Sequence, residues 1–131
     1  RHAARTYRMI EDSTGHLLAY FTLTFKEVEL TAAVSGSQRK ALDGFSKSAQ
    51  RIRAFLIGQL GKNHGISSNP LSIKHILDDG IYPILLDAKR LLGGRVVLLE
   101  CENSPGLIKL YEQAGYKFLQ APDLAQMVRL L

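Results

Sequence analysis

A loop of small and polar residues before a predicted helix is one place where this sequence could bind a charged ligand. The small residues of the loop are Gly65, Ser67, Ser68 and Ser72. A helix N-terminus leaves several backbone N–H groups unpaired and carries partial positive charge, so such a loop can receive a phosphate. Similar loops also connect strands to helices without any ligand. Lys62 and Lys74 flank the loop and would add positive charge, although solvated lysines are equally consistent with the pattern.

Tyr111 is a second candidate, because a phenol can donate a proton. It lies within the apolar pattern of a short helix, formed by Leu107, Ile108, Leu110, Tyr111 and Ala114. Ser104 and Pro105 suit the start of that helix, and Gly115 suits a left-handed exit. The pattern alone favours Tyr111 as a core residue and leaves proton transfer as the alternative.

Cysteine and histidine give little sign of chemistry. Cys101 is the single cysteine, so it cannot form an internal disulfide, and its apolar surroundings in sequence indicate a buried thiol. No histidine stands close to it in sequence to activate it as a nucleophile. His16 and His75 are not spaced as ligands with any other histidine or cysteine, so no metal site is predicted.

The composition indicates one ordinary globular domain, residues 1–131. Hydrophobic residues make up 46% and charged residues 22%, and no apolar run approaches the length that spans a bilayer. No signal peptide follows Arg1, and we expect a cytoplasmic protein without a membrane partner. A net charge of +5 favours polyanionic partners, either nucleic acid or a phosphate-bearing cofactor. A sequence that starts without methionine is expected to be a piece of a longer chain.

The first half of the sequence predicts three strands. Residues 5–12 and 17–30 form an antiparallel hairpin around a Ser-Thr-Gly turn. Residues 31–50 lose periodicity and predict a mobile surface excursion with room for a short helical turn. Residues 51–63 form a strand interrupted by Gly58 and Gly61, which indicates a bulge or the close approach of another backbone or a ligand.

The second half predicts alternating helices and strands. In the helix 73–92 one face is apolar and comprises Ile76, Leu77, Ile84, Leu85, Ala88, Leu91 and Leu92. Because the apolar phase is kept on both sides of Pro83, we expect one kinked helix and not two. Strand 95–102, helix 104–115 and strands 116–120 and 127–131 follow. The order β-β-β-α-β-α-β-β predicts an α+β fold with a mixed sheet and helices packed against it.

The segment "ECENSPGLIKLYEQAGYKF", residues 100–118, resembles the late part of the GNAT superfamily of N-acetyltransferases. An asparagine followed by "LYEKxGF" is common in that family, and "IKLYEQAGYKFL" differs from it only by close substitutions. The predicted elements from Thr6 to Leu131 also follow the family's order. Family members usually begin with a strand and one or two helices that are not matched here. The resemblance therefore implies an N-terminally incomplete acetyltransferase-like domain.

The resemblance implies a co-substrate and a place for it. Acetyl-coenzyme A would lie where strands 54–62 and 96–101 splay apart. Its pantetheine arm would pair with backbone groups of Leu60, Gly61 and Lys62. Asn103 would bond the pantetheine or position the short helix, and Tyr111 would protonate the departing thiolate. No metal is implied.

The pyrophosphate loop is the clear departure from the family pattern. The family usually has Gln or Arg, two residues, Gly, one residue, then Gly or Ala, whereas the matching stretch here is "SSNPLS". Pro70 has no N–H to donate. The resemblance therefore assigns the pyrophosphate to N–H groups of Ser68, Asn69, Leu71 and Ser72, or else implies that cofactor binding is weaker or lost.

The implied activity is transfer of an acetyl group to a primary amine of unknown identity. The sequence does not single out a general base, for which Glu27, Glu29, Glu100, Glu102 and His64 are candidates. Two alternatives stay open: a toxin-type acetyltransferase acting on aminoacyl-tRNA, and a non-catalytic coenzyme A-binding or interaction module. A homodimer would cover the exposed edge of an incomplete sheet.

Overall fold

The structure, a computed structural model, describes residues 4–58, 60–62 and 72–131. Seven strands within these residues form one sheet. The strands are β1 (Arg5–Ile10), β2 (Leu17–Glu29), β3 (Arg51–Ile57), β4 (Gly61–Lys62), β5 (Val96–Cys101), β6 (Lys117–Gln120) and β7 (Ala125–Leu130). Their order is β1-β2-β3-β5-β7-β6, and β4 pairs with β2. The predicted α+β fold with a mixed sheet is confirmed.

The helical segments are α1 (Gly36–Asp43), α2 (Ile73–His75), a π-helical segment (Ile76–Ile81), α3 (Tyr82–Leu92) and α4 (Pro105–Gln113). Serine side chains cap the starts of α1, α2 and α4. Helix α1 was not part of the predicted order and lies where a surface excursion with a helical turn was expected. Ser35 caps its start by accepting from the N–H of Gln38, and Gly44 ends it with φ of 85°. Only Leu42 of this helix is buried, so the apolar periodicity was too weak to reveal it.

One helical run extends over residues 73–92, as predicted, because α2, the π-helical segment and α3 follow one another without a break. Pro83 lies in the first turn of α3, directly after the π-helical segment. Leu85 is buried, but Leu91 and Leu92 are 86% and 63% exposed, so the predicted apolar face was wrong at its end. Apolar periodicity indicates which face of a helix is apolar, but it does not indicate how far along the helix that face is covered by other residues.

Contacts divide the chain into two compact units. The first comprises Arg1–Thr24 and Ile57–Gly93, and the second comprises Phe25–Leu56 and Gly94–Leu131. In the first unit β1 pairs antiparallel with β2, and the ring of Tyr7 stacks on Phe21 with centroids 5.3 Å apart. The alternating pattern of β2 is confirmed here, since Ala19, Phe21 and Leu23 are buried.

The core of the second unit forms between one face of its strands and helix α1. Its buried members are Val28, Val34, Leu42, Ile52, Ala54, Leu56, Val96, Leu98, Leu119 and Val128. In β5 these members are alternate residues, because successive side chains of a strand point to opposite faces. Glu100 therefore continues the face of Val96 and Leu98, whereas Cys101 lies on the other face.

Candidate active site

Gly58 marks a close approach between β2 and the chain after β3. The N–H of Gly58 donates to the carbonyl of Thr22 at 3.0 Å. A Cβ at Gly58 would stand 2.6 Å from Thr22 Oγ1. The close approach of another part of the chain, one of the two uses expected of these glycines, is therefore present at Gly58.

Two of the predicted pantetheine-binding residues, Gly61 and Lys62, form β4. Gly61 is the register partner of Tyr20, and Lys62 is that of Ala19. A strand has two hydrogen-bonding edges, and β2 pairs along one of those of β4. Backbone pairing therefore holds Gly61 and Lys62, whereas Leu60 precedes the strand.

Ser72, the last residue of the predicted pyrophosphate loop, is the N-cap of the helical run. Its Oγ accepts from the N–H of His75 at 3.2 Å, and its own N–H faces His75 Nδ1 at 3.5 Å, the long limit for a hydrogen bond. Lys74 pairs with Asp78 at 2.5 Å in an exposed position. The predicted loop residues Ser68, Asn69 and Leu71 lie outside the described residues.

Asn103 lies in the short connection between β5 and α4. It is exposed, and its side chain makes no hydrogen bond to another described residue. Helix α4 begins next to it as predicted: Ser104 Oγ accepts from the N–H of Leu107 at 3.3 Å, and Pro105 is the first helical residue. The structure places Asn103 beside the start of this helix and assigns it no role in holding the helix.

Tyr111 occupies the last turn of α4 and has a buried ring. Its side chain is 7% exposed and meets the ring of Tyr116 edge-on, with centroids 6.4 Å apart and planes at 72°. The carbonyl of Tyr111 accepts from the N–H groups of Ala114 and Tyr116, each at 3.0 Å. Gly115 takes φ of 94°, so the chain reverses and brings Tyr116 back against Tyr111.

The ring of Tyr111 is buried, but its hydroxyl oxygen is not. It makes no hydrogen bond within the described part of the chain, and no buried side-chain oxygen there lacks a partner. The hydroxyl oxygen must therefore retain contact with solvent, although the ring is buried. Packing of the ring together with access of solvent to the hydroxyl is the common arrangement of tyrosine.

Burial raises the pKa of Tyr111 above its ordinary value, and the neighbouring Cys101 adds to the effect. The side chain therefore keeps its proton throughout the physiological range. Cys101 is itself buried, as predicted, and its pKa is raised by burial and then by Glu102. Because the thiolate is the nucleophilic form of cysteine, Cys101 is unsuited to nucleophilic attack.

The candidate general bases differ in what holds them. Glu27 and Glu29 are exposed and lie 3.9 Å and 3.6 Å from the guanidinium of Arg51. Glu100 accepts from Gln126 at 3.0 Å, and Glu102 is exposed. His64 lies outside the described residues. Among the described residues no cluster of three or more His, Cys, Asp or Glu side chains could hold a metal ion.

Sequence reasoning missed two buried glutamines of the second unit, Gln120 and Gln126. Gln120 ends the short strand β6, and Gln126 interrupts the apolar sequence of β7. A polar residue within an otherwise apolar strand was the available signal, because a buried amide needs hydrogen-bond partners that such a strand does not supply locally.

Several solved structures share this fold, and one of them is described as a bacterial toxin. AtaT complexed with acetyl-methionyl-tRNAfMet is 16% identical, with a TM-score of 0.72 over 97% of this chain and 71% of that chain. A tyrosine-to-phenylalanine mutant of KacT is 15% identical, with a TM-score of 0.66 over 97% and 71%. AtaTR bound with acetyl-coenzyme A is 16% identical, with a TM-score of 0.63 over 97% and 70%. The fold is therefore GNAT-like, as the resemblance implied.

Sequence comparison adds no further relative, since neither a protein-family model nor a curated protein matches this chain. None of the helices in the described ranges is both long and apolar enough to cross a membrane.

Proposed function

We propose that this chain is an acetyl-coenzyme A-dependent N-acetyltransferase that acts on a primary amine. The observation that carries the proposal is the open hydroxyl of Tyr111 above a buried ring, on the helix where the GNAT resemblance expects a proton donor. Support for the co-substrate comes from the shared fold with AtaTR, which was solved bound with acetyl-coenzyme A. Tyrosine-to-phenylalanine mutants of AtaT and KacT are also among the similar structures.

The proposed reaction is a direct transfer. The nitrogen lone pair of a neutral amine attacks the thioester carbonyl carbon, and the carbon–sulfur bond breaks as the tetrahedral intermediate collapses. Tyr111 donates its hydroxyl proton to the departing thiolate, the new amide nitrogen releases one proton to solvent or a base, and the tyrosinate then takes up one proton from solvent. A neutral phenol next to a forming thiolate can supply this proton without a lowered pKa.

The cofactor would be bound mainly by backbone groups. We assign the pantetheine arm to backbone groups of Leu60, Gly61 and Lys62, with Asn103 as a further hydrogen-bond partner of the arm. The pyrophosphate is assigned to N–H groups of Ser68, Asn69, Leu71 and Ser72, of which Ser72 begins a helical run. A bound phosphate oxygen would replace the long contact between the Ser72 N–H and His75.

Calorimetric titration with acetyl-coenzyme A tests the proposal most directly. We expect saturable binding at one site per chain, and weaker binding of acetyl-pantetheine, which lacks the nucleotide and its pyrophosphate. Tyr111→Phe is a matched control that should bind acetyl-coenzyme A like the wild-type chain, because the mutation removes one atom outside the assigned cofactor contacts. Absence of binding at high micromolar acetyl-coenzyme A would exclude the enzyme and leave the non-catalytic module.

A second candidate narrows the acceptor to aminoacyl-tRNA. It is favoured by the similarity to AtaT, which was solved with acetyl-methionyl-tRNAfMet, and by the net charge of +5 of this chain. The α-amine of an aminoacyl-tRNA is a primary amine, so the same chemistry applies. We expect acetylation of charged tRNA to weaken steeply with salt, because phosphate contacts release counterions. Equal rates with methionyl-tRNA and methionine amide would contradict this candidate.

A further inference from the structure

A chain of hydrogen bonds crosses the second unit and ends at the carboxylate of Glu100. Thr31 N–H donates to Gln120 Oε1 at 2.7 Å, and Gln120 Nε2 donates to the carbonyl of Glu29 at 2.9 Å. Gln120 Nε2 also donates to Gln126 Oε1 at 2.6 Å, and Gln126 Nε2 donates to Glu100 Oε2 at 3.0 Å. Gln120 and Gln126 are 1% and 9% exposed, so this chain lies inside the protein until it reaches Glu100.

The backbone groups at one end of this series of hydrogen bonds determine which atom donates and which atom accepts along it. A backbone N–H can only donate and a carbonyl can only accept, so Thr31 and Glu29 together orient the amide of Gln120. Gln120 then presents N–H to Gln126, whose own N–H groups must point towards Glu100. The network therefore supplies a donor to one carboxylate oxygen and holds that carboxylate in place.

Glu100 lines a pocket of about 300 Å3. Side chains of the buried core, Val28, Leu56 and Leu98, form its apolar part. The second carboxylate oxygen of Glu100 has no hydrogen-bond partner among the described residues. A hydrogen-bond network that served only to stabilise the sheet would not need to end at a carboxylate whose second oxygen has no partner among the described residues.

The charge of the pocket is negative. Glu27, Glu29 and Glu100 line it, and Lys26 is the only cation among its described lining residues. Glu27 and Glu29 also face Arg51, so their charges are partly compensated at the surface. Glu100 is the carboxylate of this pocket that a buried partner holds.

The pocket and Tyr111 lie on opposite sides of the end of β5. Glu100 and Cys101 are consecutive residues of that strand, so their side chains point to opposite faces. Tyr111 is near Cys101, whose presence helps to raise the pKa of the tyrosine. A group located at the end of β5 could thus be approached from one face by Tyr111 and from the other by a molecule in the pocket.

We propose that the pocket binds a primary ammonium group with an apolar substituent, the ammonium on Glu100 and the substituent on Val28, Leu56 and Leu98. An ammonium donates charge-assisted hydrogen bonds to a carboxylate, and the apolar floor would cover the carbon chain next to it. Taking this ligand to be the acetyl acceptor rests on the proposed function. The binding of an amine at this place does not.

The test is a titration of the methyl-labelled chain with n-butylamine and, separately, with n-butanol, followed by NMR. We expect n-butylamine near neutral pH to shift the methyl signals of Val28, Leu56 and Leu98, and n-butanol to shift them much less. Glu100→Gln should weaken n-butylamine binding about tenfold, since the glutamine keeps an acceptor for Gln126 but loses the charge. Glu112→Gln removes the same charge from an exposed residue outside the pocket and should leave binding unchanged.

Lys26→Met is a variant that should change n-butylamine binding in the opposite direction to Glu100→Gln. Removing the cation while retaining its apolar stem should strengthen n-butylamine binding by about threefold. Equal shifts with alcohol and amine, or equal affinities of the wild-type chain and Glu100→Gln, would overturn the assignment. Because the titration contains no acetyl-coenzyme A, loss of the enzyme proposal in calorimetry and loss of the amine site here are separate results.

Discussion

Replacing Tyr111 with phenylalanine is expected to lower kcat by about a hundredfold, the low end of what one positioned proton donor contributes. The affinity for acetyl-coenzyme A should not change. The ring is 7% exposed and packs on Tyr116, so phenylalanine fills the same space and the fold is kept. The hydroxyl has no hydrogen-bond partner within the described residues, so its removal leaves no unsatisfied group behind.

Steady-state and single-turnover rates with acetyl-coenzyme A and a saturating acceptor would measure this effect. Tyr116→Phe is the matched control, because it removes a hydroxyl from the other ring of the same buried pair. It should retain nearly full kcat. If Tyr111→Phe also retained full kcat, Tyr111 would be a core residue, as the apolar pattern of α4 alone suggests.

The pH dependence of the same reaction gives a second readout for Tyr111. The acid must be protonated to act, and burial raises the pKa of Tyr111 above its ordinary value of 10.0. The active form therefore predominates up to pH 10 and is lost as the pH rises through the raised pKa. A decline in rate that begins between pH 7 and 9 would belong to another group, and it should persist in Tyr111→Phe.

Replacing Arg39 with alanine is expected to lower the free energy of unfolding by about 3 kcal/mol, since each hydrogen bond to a charged group contributes about 1.5 to 3 kcal/mol and the losses overlap. The guanidinium donates to the backbone carbonyls of Val34 at 3.0 Å, Ala49 at 2.6 Å and Thr31 at 2.5 Å. These bonds tie both ends of the segment 31–49 to helix α1. Without the guanidinium, the partly buried carbonyls of Val34 and Ala49 lose this donor, whereas the carbonyl of Thr31 keeps the N–H of Val34 at 3.2 Å.

Urea denaturation followed by circular dichroism would measure the loss. Lys40→Ala is the control, because Lys40 is the exposed neighbour on the same helix and should change stability by less than about 0.5 kcal/mol. Arg39→Lys should be intermediate, since an ammonium cannot reach three carbonyls in the planar arrangement of a guanidinium. Equal stability of Arg39→Ala and Lys40→Ala would show that the three bonds contribute nothing net.

Replacement of Arg39 should also affect the hydrogen bonds that hold Glu100 in the proposed amine pocket. Thr31 accepts from Arg39 through its carbonyl and donates through its N–H to Gln120, the first member of the chain that ends at Glu100. The backbone of Thr31 thus links the two networks.

Local rules predicted a large part of this fold. Helix α4 begins at Ser104 and Pro105 and ends before Gly115, as expected. This was predictable because capping depends on a few neighbouring backbone groups and on the φ that glycine tolerates. The close approach at Gly58 was indicated because a glycine within a strand pattern has no Cβ to obstruct a neighbouring part of the chain. Helix α1 was missed as a separate element, since it buries only Leu42 and is held largely by side-chain bonds such as those of Arg39.

Sequence patterns were enough to predict the mixed order of strands and helices, the ends of α4 and the presence of Tyr111 within its apolar pattern. The solvent contact of the Tyr111 hydroxyl and the glutamines that hold Glu100 became visible only in the folded chain. Gln120 bonds Thr31 across 89 residues of sequence. Periodicity and capping act over a few residues, whereas such a contact exists only once the sheet has brought β2, β5, β6 and β7 together.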